Sequence, residues 1–259
     1  MYWLQRTQIL IGTQGIDILS RSRVAVFGLG GVGSFAVEAL VRAGIGHLRL
    51  VDPDTVHETN LNRQLQATRS VIGELKTVTL AKRARDINPQ VDLQLIAESY
   101  GPGNSEELLD PPIDFVIDAI DSPGAKVDLL ARCVERGWRV VSSMGAASRI
   151  DPASVHCGDL FSSCRCPLAK MVRKRLRRRG IRQGIQAVYS DEAPVLAGRT
   201  AGTGDPESAA DMDGTTAPHG TLSYMPAIFG LVCAGHVIQT LLADLPLPRR
   251  GQSFSTTDR

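Results

Sequence analysis

A glycine-rich turn between an apolar strand and a helix constrains this chain more than any other feature. Gly28-Leu29-Gly30-Gly31-Val32-Gly33 follows a β-branched apolar stretch and precedes a helix predicted over 34–43. In this setting Gly28 permits the tight turn, Gly30 lets the backbone approach a phosphate, and Gly33 lets the helix pack on the strand. Free N–H groups at the helix start favour a bound anion. The sequence therefore predicts a Rossmann-like α/β fold, a mostly parallel sheet with helices on both faces.

A second predicted strand, over 47–51, ends at Asp52. A carboxylate about 20 residues beyond such a glycine run binds ribose hydroxyls in dinucleotide-binding folds. NAD sites share this pattern, so the glycines and Asp52 alone leave a redox site and an ATP site open.

Two cations after Asp52 favour ATP over NAD. ATP with a leaving pyrophosphate carries several negative charges, which must be neutralised as the bond at the α-phosphorus breaks. Arg63 lies in the connection after the second strand, and Lys76 lies near the start of a helix predicted over 73–87. Both are therefore expected to face one rim of the sheet, although each alone is more simply a surface cation.

A third predicted strand, over 113–119, delivers two carboxylates to the carboxyl edge of the sheet. Ligands of open α/β folds bind at this edge. Asp118 ends the strand, and Asp121 follows it with the oxygen ligands that Mg²⁺ prefers. The alternative role of Asp121 is to cap a helix predicted over 122–136, and one residue could do both.

Five spaced motifs follow one another in this half of the chain. They are Gly28–Gly33, Val51-Asp52-Pro53-Asp54, Asn60-Leu61-Asn62-Arg63-Gln64, Gly73-Glu74-Leu75-Lys76 and Asp118-Ala119-Ile120-Asp121-Ser122. Together they resemble the nucleotide site of the ubiquitin-activating-enzyme-like adenylyltransferases. Within that superfamily, the chain resembles the tRNA threonylcarbamoyladenosine dehydratases, also called cyclic threonylcarbamoyladenosine synthases, from about residue 5 to 243. The segments that carry this closer likeness are Arg6-Thr7, Asp118–Ser122, Ser143-Met144-Gly145-Ala146, Ile150-Asp151-Pro152 and Tyr189-Ser190.

The resemblance implies a role for each matching residue. Asp52 would bind the ribose with Asp54 nearby, and Gln64 would line the site. Asn60, Arg63 and Lys76 would hold the phosphates, and Asp121 would hold Mg²⁺. The other positions that the pattern assigns to the nucleotide are Gly28, Gly30, Gly31, Gly33, Asp118 and Ser122.

The N-terminal arginine carries an implication about assembly. Arg6 matches an arginine that members of the superfamily insert into the partner subunit's nucleotide site, so the resemblance implies a homodimer with composite sites. Taken without the resemblance, Arg6 is a solvated terminal charge.

The implied reaction is ligase-type and has two steps. The carboxylate of a threonylcarbamoyl group, on an adenosine beside the tRNA anticodon, attacks the α-phosphorus of ATP and releases pyrophosphate. An atom of the same modification then attacks the activated carbonyl, expels AMP and closes a ring. Two alternatives stay open: activation of the C-terminus of a ubiquitin-like or sulfur-carrier protein, and a catalytically silent nucleotide-binding or redox module.

The five cysteines fit a reduced, cytoplasmic protein, since their number is odd and we recognise no secretory signal. Carrier-protein activators commonly use a cysteine in the crossover loop, but residues 191–222 contain none. Those relatives also often hold zinc with two Cys-x-x-Cys pairs, whereas this chain offers only Cys164-Arg165-Cys166 and isolated cysteines, so we expect no structural zinc. Cys166 replaces an aspartate that is more common in the branch, and Cys133 and Cys233 are expected in the core.

Charge is informative through its distribution, because the net charge is only +2. A cluster of cations in one predicted helical stretch suits tRNA phosphates, and the alternative is a solvated face beside an acidic patch. The clustered cations are Arg173, Lys174, Arg175, Arg177, Arg178, Arg179 and Arg182.

The resemblance also implies a possible protein partner from a sulfur-transfer or cysteine-desulfurase system.

We predict a single domain over residues 1–245, with a Rossmann-like core over about 21–150 and a C-terminal half over 151–245. The C-terminal half should contain strands near 153–160 and 186–190, flanking the basic helix.

Three further segments complete the chain. Small and polar residues over 192–221 predict a mobile loop, and 246–259 predicts a disordered tail. The apolar stretch 222–242 is interrupted by polar residues and glycines. We therefore expect a buried helix and strand at the dimer interface, and no obligate membrane association.

Overall fold

The computed structural model describes residues 2–195 and 220–245, and these form an α/β fold around one sheet. The strands are β1 (Arg23–Phe27), β2 (His47–Val51), β3 (Asp92–Ile96), β4 (Phe115–Asp118), β5 (Val140–Ser143), β6 (Val155–Asp159) and β7 (Gln186–Ser190). The α-helices are α1 (Gln5–Arg21), α2 (Gly33–Ala43), α3 (Lys76–Ile87), α4 (Ser105–Leu108), α5 (Pro123–Glu135), α6 (Pro167–Arg178) and α7 (Tyr224–Leu241).

The sheet has the order β3-β2-β1-β4-β5-β7-β6. Every neighbouring pair is parallel except β6 and β7, which are antiparallel. The predicted fold class is confirmed. Chain direction places the carboxyl ends of β1, β2, β4, β5 and β7 along one edge, which is where the predicted nucleotide residues lie.

Helices cover both faces of the sheet, which explains why its central strands are apolar throughout. Along β1, Val24 and Val26 point into a core shared with α1, α2, α3 and α7. Ala25 and Phe27 point into the opposite core, which includes residues of α4, α5 and α6. Successive side chains of a strand alternate between faces, so a strand covered on both faces must be apolar at every position.

The stretch 222–242 forms one helix, so the predicted strand in this segment is wrong. Pro226 is the third residue of α7, where its missing N–H would have no helical partner. Gly230 lets α7 press against α2, since a Cβ there would lie 2.2 Å from the Val32 carbonyl oxygen. Among the described helices α7 alone is long and apolar enough to cross a membrane, and 44% of it is buried inside the protein. Packing on α2 accounts for its buried apolar side.

The predicted basic helix is too long, one strand was not predicted, and two predicted segments lie largely or wholly outside the described residues. The predicted basic helix ends at Arg178, because Gly180 adopts a positive φ of 80° and breaks the helix before Arg182. Strand β3 has no counterpart among the predicted elements. Most of the predicted loop 192–221, and all of the predicted tail 246–259, lie outside the described residues.

Candidate nucleotide site

The glycine turn packs so tightly that two of its residues must be glycine. Gly28 has a φ of +86°, and a Cβ on it would lie 2.6 Å from the Ala119 carbonyl oxygen. A Cβ on Gly33 would lie 1.8 Å from the Gly28 carbonyl oxygen. Near Gly30, by contrast, the Gln64 amide nitrogen at 3.9 Å is the only atom of the described residues that a Cβ would meet. The turn is thus closed against the end of β4 and has room beside Gly30, as close approach of a phosphate requires.

Asp52 supports this turn from the end of β2. Its Oδ2 accepts a hydrogen bond from the Leu29 N–H at 2.5 Å, and its Oδ1 accepts from the Asp54 N–H at 2.9 Å. Only 5% of Asp52 is exposed. Burial raises the pKa of Asp52, while the Lys76 ammonium and the two N–H donors act in the opposite direction. Each carboxylate oxygen still has an acceptor site for a ribose hydroxyl.

Lys76 is the first residue of α3 and is 6% exposed, so the alternative of a surface cation is wrong. Its Nζ donates to Asp54 Oδ2 at 2.6 Å and lies 4.0 Å from Asp52 Oδ1. Asp54 is much more open, with 60% of its side chain exposed. A buried ammonium shared between two carboxylates is available to a phosphate if it releases the exposed one.

The segment after β2 lies directly beside the glycine turn. Gly31 illustrates the contact, since a Cβ on it would lie 3.3 Å from the Arg63 carbonyl oxygen. Asn60 and Gln64 are both buried, and Asn60 Oδ1 accepts from the His57 N–H at 3.0 Å. The half-buried Arg63 donates from Nη1 to the Thr59 carbonyl oxygen at 2.8 Å. The structure therefore brings the Arg63 backbone and the Gln64 side chain to the turn, and the Asn60 carbonyl oxygen accepts from the N–H groups of both residues.

Gln66 belongs to this site, although the sequence interpretation did not identify it. Its Nε2 donates to the Leu29 carbonyl oxygen at 2.8 Å, while the Leu29 N–H is bound by Asp52. The peptide groups of Leu29 are thus held from both sides. The buried Oε1 of Gln66 has no hydrogen-bond partner among the described residues. The only signal in the sequence was an amide side chain two residues beyond a matched motif.

Asp118 occupies a different environment from the one expected of a ligand-binding carboxylate. It is 0% exposed, and its Oδ2 accepts from Lys126 Nζ at 2.7 Å and from Ser142 Oγ at 2.6 Å. Its Oδ1 accepts from the Ile120 N–H at 3.1 Å. In this arrangement the Asp118 carboxylate supports the loop after β4 and presents no surface to a nucleotide. Lys126 was not among the predicted site residues.

Asp121 and Ser122 are exposed at the start of α5. Ser122 occupies the N-cap position, so Asp121 is not the cap, and the Ser122 side chain makes no capping hydrogen bond. Within the described ranges, no group of at least three His, Cys, Asp or Glu side chains converges on a metal-sized space. Magnesium in nucleotide sites is usually held by one or two carboxylates together with substrate phosphates. A single exposed Asp121 beside the nucleotide edge fits that donor set.

Arg6 lies far from the glycine turn of its own chain. It follows Leu4, whose side chain packs on Gly44, where a Cβ would lie 2.9 Å from Leu4 Cδ1. Gly44 and the turn stand at opposite ends of α2, an 11-residue helix about 16 Å long. Arg6 is exposed, and nearby Ile9 and Leu10 are 74% and 73% exposed. The structure does not bring Arg6 to the other predicted site residues.

The basic stretch is divided between internal partners and solvent. Lys174, Arg178 and Arg182 are exposed, and Lys174 and Arg178 belong to α6. Others contact neighbouring side chains of the chain, although Arg177 and Arg179 are also exposed, and one of these contacts is with an aspartate, in keeping with part of the acidic-patch alternative. Such contacts are made by Arg173, which donates to Ser163 Oγ, Arg177, stacked 5.5 Å from the Phe161 ring, and Arg179, whose Nη1 is 3.3 Å from Asp128 Oδ1.

The cysteines are distributed between core and surface. Cys133, Cys166 and Cys233 are buried, whereas Cys157 and Cys164 are exposed. Burial raises the pKa of Cys133 to about 12, so its thiolate is scarce at neutral pH. The expectation that Cys133 and Cys233 are core thiols is confirmed.

The site combines a closed glycine turn with a buried carboxylate at the position that binds ribose in such folds, and a lysine, an arginine and amides lie beside them. These features define a nucleotide-binding protein of the Rossmann-like adenylyltransferase class. The chain belongs to the ThiF family, which matches residues 4–257, and within it to the tRNA threonylcarbamoyladenosine dehydratases.

Similarity to individual members extends over nearly the whole chain. A tRNA threonylcarbamoyladenosine dehydratase of Bacillus subtilis is 37% identical over 96% of this chain and 98% of its own. The enzyme of that name from Escherichia coli is 34% identical, over 93% of this chain and 95% of its own. A crystal structure of the Escherichia coli enzyme in complex with ATP superposes with a TM-score of 0.82, at 32% identity, over 93% of this chain and 96% of that chain.

Proposed function

We propose that this protein catalyses the ATP-dependent dehydration of threonylcarbamoyladenosine beside the tRNA anticodon, through a carboxyl-adenylate. The observation that carries the proposal is the buried Lys76 between Asp52 and Asp54, next to a glycine turn that leaves room for phosphate. Relatives of that name align over almost the full chain, which supports the same substrate.

The first step places a carboxylate against the α-phosphorus of ATP. Asp52 holds the ribose, and the N–H groups of the turn and of α2 face the phosphates. Lys76 exchanges the exposed Asp54 carboxylate for the phosphate chain, while Arg63 and Asn60 supply further donors beside it. These donors stabilise negative charge that grows on the leaving pyrophosphate, which is where such groups lower a barrier most.

Asp121 would hold Mg²⁺ together with the phosphates. The ion would supply additional positive charge where pyrophosphate departs. Asp118, in contrast, is buried and acts indirectly, by fixing the loop that carries Asp121.

The second step closes a ring within the modified nucleoside. A nucleophilic atom of the threonylcarbamoyl group attacks the activated carbonyl, loses its proton, and AMP departs with the former carboxylate oxygen. The net change on the tRNA is the loss of one water. Because nucleophile and electrophile belong to one molecule, proximity supplies much of the rate and no enzyme nucleophile is required.

The tRNA would lie over the exposed cations of α6 and the turn that follows it. Lys174, Arg178 and Arg182 are exposed and placed for phosphate contacts. Arg177 and Arg179 are exposed too, but they also contact Phe161 and Asp128. Such contacts position a nucleic acid without reading its sequence.

A homodimer would complete the site. The position of Arg6 at the far end of α2 supports a role in the site of a second copy rather than in its own. The exposed Ile9 and Leu10 offer apolar surface for such a contact. If so, mixing Arg6→Ala protein with an excess of Lys76→Met protein should restore activity through mixed dimers, although each variant alone is weak. A monomeric wild type with full activity would contradict this arrangement.

The principal alternative is an activator of a carrier protein. It is not favoured, because residues 191–222 contain no cysteine and the Bacillus subtilis and Escherichia coli relatives, which align over almost their full length, carry the dehydratase name. A sulfur-transfer partner and a cytoplasmic location stay predictions.

One experiment tests the proposed function directly. The protein is incubated with ATP, Mg²⁺ and threonylcarbamoylated tRNA, and the nucleosides are analysed by mass spectrometry after digestion. We expect a product lighter by one water, with AMP and pyrophosphate formed in equal amounts. Unchanged nucleoside, together with adenylation of a Gly-Gly carrier tail offered in parallel, would favour the alternative.

A further inference from the structure

A fully buried lysine beneath the nucleotide edge has no role in the chemistry described so far. Lys126 lies in α5 and is 0% exposed. Its Nζ donates to Asp118 Oδ2 at 2.7 Å, to the Ser143 carbonyl oxygen at 3.0 Å and to Ser142 Oγ at 3.3 Å. A lysine ammonium has three donors, and these contacts occupy all of them. Lys126 therefore cannot reach a ligand, and its function must be exerted through the groups that it binds.

Stability alone is a poor explanation for this ion pair. Removing two charges from water is costly, and a well-packed apolar pair of similar volume is often as stable. A buried pair does, however, specify one arrangement of the segments that carry it, because any other arrangement leaves a charge unpaired in the interior. The informative question is which segments Lys126 joins.

Lys126 joins the ends of two adjacent strands. Asp118 ends β4 and Ser143 ends β5, both at the edge where the nucleotide residues gather. Asp118 also accepts from the Ile120 N–H, so the ion pair fixes the loop that leads to Asp121. The same loop contacts the glycine turn through the Ala119 carbonyl oxygen, which limits the space beside Gly28.

We propose that Lys126 is a positioning residue for the magnesium–nucleotide site. With Asp118 and Ser142 it fixes the loop after β4, and hence the position of Asp121, which would hold the ion. This inference rests on the proposed function, because it assigns a consequence to the placement of Asp121. Replacing a residue that hydrogen-bonds to a metal ligand and orients it commonly lowers metal affinity by roughly 10-fold to 100-fold.

The test measures the Mg²⁺ dependence of nucleotide binding in the absence of tRNA. The probe is the α,β-methylene analogue of ATP, titrated by calorimetry at increasing Mg²⁺ concentrations. We expect Lys126→Met to raise the Mg²⁺ concentration for half-maximal enhancement of binding about 10-fold or more. Affinity for the analogue without Mg²⁺ should stay close to wild type, because Asp52 and Gln66 hold the glycine turn independently of Lys126.

Two further variants separate positioning from stability. Lys126→Met combined with Asp118→Asn removes the unpaired charge, so it should recover thermal stability but keep the altered Mg²⁺ dependence. Ser142→Ala removes the 2.6 Å hydrogen bond to Asp118 and should shift the Mg²⁺ dependence in the same direction by less, in a protein that retains the ion pair.

The matched control is Asp128→Asn, on the same helix. Asp128 accepts from the Tyr100 hydroxyl at 3.0 Å and from Arg132 Nε at 3.0 Å, so this variant also loses a buried network. It should lower thermal stability without changing the Mg²⁺ dependence. If folded Lys126 and Ser142 variants match the wild type in Mg²⁺ dependence, or if the control shifts equally, the inference is wrong. A wild type that does not bind the analogue would instead refute the proposed function itself.

Discussion

Replacing Lys76 by methionine tests the centre of the proposed site. The substitution keeps most of the side-chain length and removes the charge that lies 2.6 Å from Asp54 Oδ2 and 4.0 Å from Asp52 Oδ1. Two separate effects follow, one on folding and one on catalysis. The magnitude of the first follows from the geometry, and that of the second from the usual effect of losing one donor to developing charge.

The effect on folding is limited by the surroundings of the two carboxylates. At 4.0 Å, the attraction between Lys76 and Asp52 is about 4 kcal/mol with an effective dielectric constant near 20. The Asp54 pair adds about 1 kcal/mol or less, since that side chain is 60% exposed. About half or more of this attraction is offset, because methionine avoids the cost of burying an ammonium, and because Asp52 keeps two N–H donors and can take up a proton, since burial raises its pKa. We therefore expect a loss of about 2 kcal/mol in the free energy of unfolding, below the 3–5 kcal/mol typical of breaking a fully buried pair.

The effect on catalysis should be larger. Loss of one donor to developing charge typically lowers turnover by about 10²-fold to 10³-fold. The assay is pyrophosphate release with saturating ATP and threonylcarbamoylated tRNA, accompanied by urea unfolding at the assay temperature. Lys82→Met is the matched control, because Lys82 lies on the same helix in an exposed 2.8 Å pair with Glu74. The reasoning is refuted if Lys76→Met, while folded, loses no more turnover than Lys82→Met.

Three other predictions concern titration, the cysteines and the basic helix. Burial raises the pKa of Asp52 above its ordinary 3.8, so its contribution to stability should fall as pH rises from 3.8 through the raised value; Asp52→Asn should remove this part of the pH dependence in urea unfolding. Replacing the exposed Cys157 and Cys164 by serine should leave cyclisation intact, and a folded but inactive variant would indicate an obligatory thioester. Changing Lys174 and Arg178 to alanine should flatten the dependence of log tRNA affinity on log salt by about 1.5. ATP affinity should stay constant, and an unchanged salt slope would exclude this surface.

The elements around the glycine turn could be predicted because local sequence determines them. The strand over 47–51 was found with its observed bounds, and α2 begins one residue before the predicted start. Gly28 and Gly33 indicate close backbone contacts, with the Ala119 and Gly28 carbonyl oxygens respectively, that a residue with a Cβ does not tolerate. Strand β3 was missed because Asp92 and Gln94 alternate with partly buried residues on an edge strand, which lacks the continuous apolar run of its neighbours.

Burial of polar residues was harder to predict than their position. Lys76 was placed correctly at the start of a helix, but its burial depends on Asp52 and Asp54, which precede it by more than 20 residues. The end of the basic helix depends on the backbone conformation of Gly180, one glycine among polar residues that continue the cationic pattern. In both cases the deciding contact or torsion is invisible to periodicity.

The two aspartates of Asp118-Ala-Ile-Asp121 show why a motif does not assign chemistry to each of its residues. Both are acidic and three positions apart at one sheet edge, so the sequence gives no reason to separate them. In the structure, strand β4 points Asp118 inward to Lys126, while the chain has left the sheet at Asp121 and exposes it. The ion pair with Asp118 places the Lys126 ammonium where it cannot contact a phosphate, whereas Asp121 lies at the surface. The different surroundings of the two aspartates therefore follow from the point at which the strand ends, and the proposed roles, Asp118 in positioning the loop and Asp121 in holding the ion, rest on that difference.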